Sequence, residues 1–254
     1  MRTFAFHQVH GTSALTCVTA QNTLDVIHVD ALPAASVVAQ IQAVVTDIGV
    51  QAAKTGMLLN QDIIAAVATQ VEELNLVNLV VDPVMVSRTG LQLIDDSAIA
   101  TLQKLLIPKA LILTPNRYEA QILSGLEIHT LDDMRAAAQQ IYQLGAKAVL
   151  VKGGGMAGNL RGVDVWFDGS HLETLHMATV ETSNTHGTGC TLSAAIAANL
   201  ALGQNDLLIA AKTAKAYVTT ALRYALDLGQ GQGPVGHFFP LLERSVYVDS
   251  SCRD

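Results

Sequence analysis

The stretch NTHGTGC at residues 184–190 has the residue types and spacing of an anion-binding turn. Gly187 and Gly189 allow the backbone to bend sharply, and the following run TLSAAIAANLALG consists of strong helix formers with an apolar face. A helix that begins here presents unpaired backbone N–H groups and the positive end of its dipole. This end could hold a phosphate group or a negative charge that develops during a reaction.

Cys190 falls in the first turn of that predicted helix. A thiol at a helix N-terminus is expected to have a depressed pKa, so its thiolate could act as a base or a nucleophile. The alternative is a glycine-punctuated loop before a core helix, with Cys190 as a buried cysteine. The spacing alone leaves both interpretations open.

Carboxylates near two other predicted element ends could bind a metal. Asp82 stands after the apolar run Leu79–Val81 and before Pro83, at the end of a predicted strand. Such a carboxylate can hold hydrated Mg²⁺, which prefers oxygen ligands and keeps several waters. Glu119 lies three residues after Asn116 in the first turn of the next helix, and all three could order a metal, water and phosphate network. Asp-Pro is also an ordinary turn dipeptide and Glu119 also complements a helix dipole, so structural roles remain open.

Lys152 ends a buried apolar strand and is followed by Gly153, Gly154 and Gly155. Its ammonium group could therefore reach a phosphate that the glycine backbone approaches closely. Residues 153–158 also satisfy G-x-G-x-x-G, but the residues GVDVWF that follow continue as a strand, and a dinucleotide site requires a helix there. We therefore reject a dinucleotide site. The sequence has no G-x-x-x-x-G-K-[ST] either, which excludes a Walker-type site.

Three further side chains could line a substrate pocket near the predicted strand ends. Met57 and Val84 would supply apolar walls, and Gln21 could read the edge of a heterocycle with its paired donor and acceptor. For each of them taken alone, core packing is the simpler interpretation.

The composition narrows the class of protein. Half of the 254 residues are hydrophobic, 15% are charged, and the net charge is -7. Since no basic run stands out, nucleic acid and anionic membranes are not the expected partners. The three cysteines are widely spaced and predict neither a disulfide framework nor a zinc site. No apolar run approaches the roughly 18 residues that a membrane span needs, and we expect a soluble cytoplasmic protein.

Short β-branched runs alternate with helical patterns along the chain, which predicts an α/β fold with a mostly parallel sheet covered by helices on both faces. The predicted strands are Ala14–Thr19, Ala52–Lys54, Leu79–Val81, Leu111–Leu113, Ala148–Val151, Val163–Phe167 and Leu172–His176. The predicted helices are Ser36–Ile48, Gln61–Leu74, Asp96–Leu106, one from Tyr118, Asp132–Leu144, the one after Cys190, and Asp206 to about Leu226. We expect one domain over residues 1–240 and a polar tail at 241–254. In such sheets ligands bind beyond the carboxyl ends of the strands, where the polar side chains of this sequence collect.

Seven segments stand in a recognisable order: HGTSALTCVTAQNT (10–23), KTGML (54–58), VVDPVMVSRTG (80–90), LTPNRYEA (113–120), VLVKGG (149–154), NTHGTGCTLSAA (184–195) and GPVGHF (233–238). Together they resemble the hydroxymethylpyrimidine/phosphomethylpyrimidine kinases of thiamine biosynthesis, which are ribokinase-like kinases. The resemblance implies a three-layer α/β/α sandwich. It also implies transfer of phosphate from ATP, with Mg²⁺, to 4-amino-5-hydroxymethyl-2-methylpyrimidine and then to its monophosphate.

The resemblance also implies roles for single residues by position. The implied site residues are Gln21, Met57 and Val84 for the pyrimidine, Asp82 and Glu119 for the metal, Lys152, Asn116 and Thr185 for the nucleotide, and Gly187, Thr188, Gly189 and Cys190 for the anion hole. Cys190 stands where related sugar kinases carry a base aspartate, so it is implied to accept the proton of the substrate hydroxyl. Phosphoryl transfer needs positioning and charge stabilisation, which a helix N-terminus, Mg²⁺ and a lysine supply.

One departure from the family concerns the first residues. The family opens with a strand and a glycine-rich segment of the form AGSDSGGGAGIQAD, and this chain starts at Met1-Arg2-Thr3-Phe4, where that segment has ended. We therefore expect the chain to lack that strand, through a start codon assigned too late or through a true truncation. Its loss would expose strand edges and remove part of the pocket.

Two other functions remain open from the sequence. A pyridoxal or pyridoxine kinase is the nearest alternative, because its substrate is also a hydroxymethyl-bearing aromatic heterocycle. The other is an inactive truncated module that binds pyrimidine or nucleotide, although the intact NTHGTGC and Lys152 motifs argue against decay. The family also raises the expectation of a homodimer.

Overall fold

A central sheet of six strands runs through the computed structural model of the chain, which describes residues 1–85 and 93–242. A separate two-stranded antiparallel hairpin precedes it. The strands are β1 (Cys17–Gln21), β2 (Val26–Ala31), β3 (Ala53–Thr55), β4 (Leu79–Val81), β5 (Ile112–Leu113), β6 (Val149–Val151), β7 (Asp164–Phe167) and β8 (Leu172–Leu175). The six strands of the sheet lie side by side in chain order, and β3 to β6 are parallel while β7 and β8 are antiparallel.

Helices cover both faces of this sheet and make it the middle layer of a three-layer α/β/α sandwich. They are α1 (Arg2–Phe6), α2 (Ala34–Asp47), α3 (Gln61–Glu73), α4 (Asp96–Thr101), α5 (Arg117–Ser124), α6 (Leu131–Tyr142), α7 (Thr188–Ala201) and α8 (Leu207–Arg223). This is the predicted fold class. Within the described residues, no helix is both long and apolar enough to cross a bilayer.

The strands alternate their side chains between two separate cores. In β4, Leu79 and Val81 pack with α3 and its neighbours, whereas Val80 faces the opposite side and packs with α7 and α8. Trp166 of β7 is fully buried on that same side. Since a parallel sheet buried on both faces needs apolar side chains at every position, these strands appear in the sequence as continuous apolar runs. The sheet is therefore packed on both faces along these strands.

The hairpin of β1 and β2 differs from the prediction. The expected strand Ala14–Thr19 is shifted to Cys17–Gln21, and β2 was not predicted. Pairing extends from Cys17 opposite Ala31 to the turn, where Asn22 Oδ1 accepts hydrogen bonds from Leu24 N and Asp25 N. Because most residues of β2 are exposed, no buried face imposes a clear alternation on its sequence.

Other element boundaries agree more closely. Asn60 caps α3 as expected, with its side chain accepting from Ile63 N at 3.0 Å. The predicted helix Asp96–Leu106 is regular only to Thr101 and then widens into a π-helical turn at Leu102–Leu106. It gives way to a 3₁₀ turn that contains Pro108, whose missing N–H cannot continue a helix. Residues 86–90, which end the predicted motif, and nearly all of the expected tail at 241–254 lie outside the described residues.

Candidate active site

The parallel strands β4, β5 and β6 end at one edge of the sheet and bring three predicted polar positions together. Thr114 N donates to Val81 O at 2.9 Å, and Lys152 N donates to Pro115 O at 2.8 Å. Asn116 and Lys152 form a parallel β-bridge just beyond the ends of β5 and β6. The predicted clustering at the carboxyl ends is confirmed by this geometry.

Asp82 and Lys152 form a buried ion pair at the centre of this edge. Lys152 Nζ lies 2.8 Å from Asp82 Oδ1, and the side chains are 13% and 2% exposed. Ser193 Oγ of α7 donates to the other Asp82 oxygen at 3.1 Å. The pair therefore joins three elements, β4, β6 and α7.

Each residue of this pair stabilises the charged form of the other. Burial alone would raise the pKa of Asp82, but the ammonium groups of Lys152 and Lys54 outweigh it and hold that pKa below its usual value. Burial alone would lower the pKa of Lys152, but the carboxylates of Asp82 and Glu119 raise it above its usual value. Both side chains are therefore charged at neutral pH.

The glycine turn feeds a helix N-terminus, as predicted. Gly187 is the N-cap residue of α7 with φ of 84°, a conformation that favours glycine. The Thr188 hydroxyl donates to the carbonyl of Thr185 and tightens the turn. A Cβ on Gly189 would lie 3.2 Å from Lys152 Nζ, so the first turn of α7 faces the lysine. The amides of Gly189 and Cys190 precede the first hydrogen bond of the helix, which Thr191 N donates to Gly187 O at 2.8 Å, and they add to the positive potential of the lysine.

The turn is also fixed from behind by the segment at 233–238. His186 N donates to Gly233 O at 3.0 Å, and Val235 N donates to His186 O at 3.2 Å. Thr191 Oγ1 lies 3.0 Å from His237 Nε2. His237 was not predicted as a site residue, although the GPVGHF segment that contains it was noticed in the sequence.

Cys190 lies in the first turn of α7, but the prediction that its thiol pKa is depressed is wrong. Solvent reaches Cys190, yet burial of its sulfur by the surrounding site raises the pKa of the thiol above the ordinary value. Lys54 opposes this rise and Asp82 adds to it. The helix N-terminus therefore does not make Cys190 a thiolate in the ligand-free protein, because desolvation and a neighbouring carboxylate outweigh the positive charges.

Glu119 and Asn116 form a capping box at the start of α5. Asn116 Oδ1 accepts from Glu119 N at 3.0 Å, and Asn116 N donates to Glu119 Oε2 at 2.7 Å. The Glu119 side chain is buried, which raises the pKa of its carboxyl to about 7, with Lys152 opposing and Asp82 adding to the rise. The structural role that the sequence left open for Glu119 is therefore real, and it coexists with a place beside the Asp82 and Lys152 pair.

The two carboxylates fit a magnesium ion held mainly by water and phosphate. Among residues 1–85 and 93–242, no three His, Cys, Asp or Glu side chains gather to hold a metal by themselves. Mg²⁺ at phosphate-binding sites needs only one or two carboxylates, because it keeps several waters and binds substrate phosphates. Burial raises the pKa of Glu119 despite the nearby ammonium of Lys152, and a cation bound beside the carboxyl would lower that pKa again. Asp82 and Glu119 thus suit a magnesium site.

The substitution Glu119→Gln tests the charge of this buried carboxyl. Since the folded-state pKa is about 7 against 4.5 for the free group, folded Glu119 retains its proton up to higher pH, and the wild type loses stability as pH rises from about 4.5 to 7. Glutamine keeps the capping box but cannot ionise. In metal-free buffer, the free energy of unfolding of Glu119→Gln should gain on the wild type by on the order of 3 kcal/mol between pH 4 and pH 8.

Urea unfolding of both proteins at several pH values would measure this difference. Glu127→Gln is the matched control, because the Glu127 side chain is 80% exposed. A constant difference between wild type and Glu119→Gln across pH would contradict the raised pKa.

The predicted pyrimidine residues are less closely joined to this cluster. Val84 lines a narrow cleft with Thr55, Gly56 and Asp82. Met57 carries the carbonyl that accepts from Thr16 Oγ1 at 2.7 Å and so connects the hairpin to the end of β3. Gln21 is exposed at the end of β1, and within the described residues no hydrogen bond or ion pair joins its side chain to the cluster.

Besides His237, two residues of the site, Lys54 and Ser193, were not assigned a role from the sequence. Lys54 in β3 acts on the pKa values of Asp82 and Cys190, and its Nζ would lie 3.1 Å from a Cβ on Gly56. Ser193 bonds to Asp82 from within an otherwise apolar helix. The signal for Ser193 was its spacing, since it lies one helical turn after Gly189 and Cys190 on the same face.

The chain is similar to known kinases over nearly its whole length. A model of the phosphomethylpyrimidine kinase family matches residues 1–236. The chain is 56% identical over 241 residues to a hydroxymethylpyrimidine/phosphomethylpyrimidine kinase of Synechococcus elongatus, covering 95% of this chain and 91% of that protein. Its structure is similar to a Bacillus subtilis pyridoxal kinase solved as an ADP complex, with a TM-score of 0.87, 37% identity, and coverage of 95% and 91%. It is also similar to a Clostridium difficile phosphomethylpyrimidine kinase, with a TM-score of 0.76, 38% identity, and coverage of 87% and 90%.

Proposed function

This chain belongs to the phosphomethylpyrimidine kinase family, and we infer that it phosphorylates hydroxymethylpyrimidine and then hydroxymethylpyrimidine phosphate in thiamine biosynthesis. The observation that carries this inference is the match of nearly the whole chain to a relative of that name. The kinase class and the ribokinase-like fold follow from the same comparisons. We also propose that it works in the cytoplasm, where thiols stay reduced.

We propose that the nucleotide lies along the edge formed by Lys152, Asn116 and the first turn of α7. Lys152 Nζ lies near Gly189, so one ammonium and the amides of the turn face the same space. Thr185 and Thr188 shape that turn. Phosphoryl transfer spreads charge over the equatorial oxygens, and fixed donors of this kind stabilise it. The ADP complex of a related kinase supports nucleotide use.

Asp82 and Glu119 are the proposed magnesium residues. When bound, Mg²⁺ supplies neutralisation of phosphate charge. In the ligand-free chain the ammonium of Lys152 compensates Asp82 directly. We infer that Ser193 keeps the Asp82 carboxylate oriented when Lys152 turns towards a phosphate, because its hydroxyl bonds to the oxygen that Lys152 does not use.

We propose that Gln21, Met57 and Val84 form the pyrimidine site, with the hairpin of β1 and β2 as its outer wall. The hairpin turn is tied to the body of the protein, since Gly231 N donates to Thr23 Oγ1 at 3.2 Å. Gln21, at the end of β1, precedes this anchored turn by two residues. This supports a wall that stays next to the strand ends.

The experiment that tests the function is ADP release by the purified chain with Mg²⁺-ATP and each heterocycle in turn. Hydroxymethylpyrimidine and its phosphate should be turned over with kcat/KM at least about 100-fold above that for pyridoxal or pyridoxine. Pyridoxal is the necessary comparison, because a pyridoxal kinase is among the similar structures. An equal or higher kcat/KM with pyridoxal would contradict the pyrimidine kinase and favour a pyridoxal kinase. ADP release with neither heterocycle would favour an inactive binding module.

We also propose that the protein is a homodimer that associates through the hairpin. Val18 and Ile27 of the hairpin strands are 54% and 72% exposed, and Leu24 in the turn is 63% exposed. Large apolar side chains gathered on one small element are typical of an association surface. We take the partner at this surface to be a second copy of the chain, because the family raises the expectation of a homodimer.

The substitution Ile27→Asp should convert the dimer to a monomer, because it places a charge in the apolar interface. Light scattering after size exclusion should give twice the 26.8 kDa chain mass for the wild type and the single mass for the variant. Leu202→Asp, at a leucine beyond α7 that is 61% exposed, is the matched control and should leave the dimer intact. A monomeric wild type at micromolar concentration would contradict the proposal.

A further inference from the structure

A second buried ion pair lies behind the glycine loop that follows Lys152. Lys215 Nζ of α8 lies 2.6 Å from Asp164 Oδ2 of β7, and the two side chains are 9% and 8% exposed. Neither residue belongs to the cluster at the strand ends described above. A buried ion pair is seldom more stable than a well-packed apolar pair of similar volume. The pair therefore contributes to the structure mainly through the directed hydrogen bonds that its two side chains make.

Those hydrogen bonds hold both ends of the loop at residues 153–162. Asp164 Oδ1 accepts from Gly153 N at 2.9 Å. Lys215 Nζ donates to Gly162 O at 2.6 Å. Gly162 N donates to Gly153 O at 3.0 Å, which closes the loop on itself. One ion pair therefore fixes the point where the chain enters the loop and the point where it leaves.

The entry point is the peptide unit directly after Lys152. The N–H of Gly153 belongs to the peptide plane that follows the Lys152 Cα, so the hydrogen bond to Asp164 sets the orientation of that plane. The position allows no side chain, since a Cβ on Gly153 would lie 1.8 Å from Val163 O. On the other side, Lys152 N is held by Pro115 O at 2.8 Å. The backbone of the lysine is thus fixed both before and after its Cα.

We propose that Asp164 and Lys215 are positioning residues that aim Lys152 and the glycine backbone at the nucleotide phosphates. This inference rests on the proposed function, because it takes Lys152 as the nucleotide lysine. Because the backbone at Lys152 and Gly153 is already fixed, binding of a phosphate costs little backbone conformational entropy there. We call the Asp164–Lys215 pair, with its hydrogen bonds to Gly153 and Gly162, the clamp. Loss of the clamp should therefore weaken nucleotide binding and leave the pyrimidine site, on the hairpin side, unaffected.

The test uses the double variant Asp164→Leu/Lys215→Met, which replaces the ion pair by apolar side chains and leaves no unpaired buried charge. Calorimetric titration with Mg²⁺-ADP measures nucleotide binding without reference to the heterocycle. The double variant should bind Mg²⁺-ADP at least about 10-fold more weakly than the wild type, and the KM for ATP should rise while the KM for hydroxymethylpyrimidine stays within about twofold. Lys212→Met is the matched control on the same helix, because Lys212 pairs with Glu173 at 2.8 Å on the surface and does not touch the loop.

Two further variants keep the proposal testable if the double variant fails to fold. Asp164→Asn retains an acceptor for Gly153 N and should keep more ADP affinity than Lys215→Met, which loses the donor to Gly162 O and the countercharge of Asp164. In a Lys152→Met background, loss of the clamp should add little to the loss of ADP affinity, since the clamp acts through Lys152.

The outcomes distinguish a failure of the positioning role from a failure of the kinase function. A folded double variant with wild-type ADP affinity would overturn the positioning role while leaving the kinase function intact. Equal losses of ADP and hydroxymethylpyrimidine binding would also overturn it, because they indicate a general loss of structure. A wild type that binds no Mg²⁺-ADP would overturn the proposed function, and the inference with it.

Discussion

Replacing Lys152 by methionine is expected to lower kcat/KM for ATP by about 10³-fold, with little change in the affinity for hydroxymethylpyrimidine. Removal of one fixed charge that stabilises a transferring phosphoryl group costs factors of this order. Lys152 is the cation whose Nζ lies against both Asp82 and the first turn of α7. Methionine keeps the length and the apolar stem of the side chain, so the loss reports the charge.

The same substitution should also destabilise the fold, because it leaves Asp82 buried without its nearest cation. Removing one partner of a buried pair costs about 3–5 kcal/mol. The double variant Lys152→Met/Asp82→Asn removes both charges and should recover much of the unfolding free energy without recovering activity. This comparison separates the catalytic effect from the structural one.

Steady-state kinetics with varied ATP and urea unfolding of the same preparations would measure the two effects. Lys147→Met is the control, since Lys147 is exposed and precedes the amino end of β6, away from the carboxyl edge where Lys152 lies. A Lys152→Met protein that keeps its ATP dependence would remove Lys152 from the nucleotide site.

The sheet and the places of Asp82 and Lys152 were predictable, because the hydrophobic pattern of each short segment agreed with the fold of the whole chain. Apolar runs such as Leu79–Val81, alternating with helical patterns along the chain, are typical of strands buried on both faces, and a polar residue that follows such a strand lies at the sheet edge. Asp82 and Lys152 were located in this way. Their direct ion pair was not predictable, because it depends on the spacing between two strands separated in sequence by 70 residues.

The hairpin and the state of Cys190 were mispredicted for two different reasons. The hairpin is held by its turn and by contacts such as Thr16 to Met57, so no buried face marks its second strand in the sequence. The pKa of Cys190 was inferred from a local rule about helix N-termini. That rule takes no account of burial and of Asp82, which arrives from another strand and raises the thiol pKa.

The raised thiol pKa leads to a second prediction, for Cys190→Ala. A base that is protonated in the resting enzyme contributes little at neutral pH and more as its thiol ionises. The wild-type kcat/KM, which reports groups of the free enzyme, should therefore rise with pH above 7 until the thiol has titrated, and the rise should be absent in Cys190→Ala. The loss in kcat/KM should reach about 10²-fold at pH 9, the lower end of what general bases contribute, and be smaller at pH 7.

Cys190→Ser and Cys17→Ala make this prediction specific. Serine keeps a hydrogen-bonding group of similar size but does not ionise in this range, so Cys190→Ser should show the flat pH profile of the alanine variant. Cys17→Ala removes the other free thiol in the described part of the chain and should keep the wild-type profile. If Cys190→Ala retained both the activity and the rise with pH, Cys190 would not be the proton acceptor. Charge stabilisation by Lys152 and the helix amides would then suffice for a loose transition state, which asks little of a base.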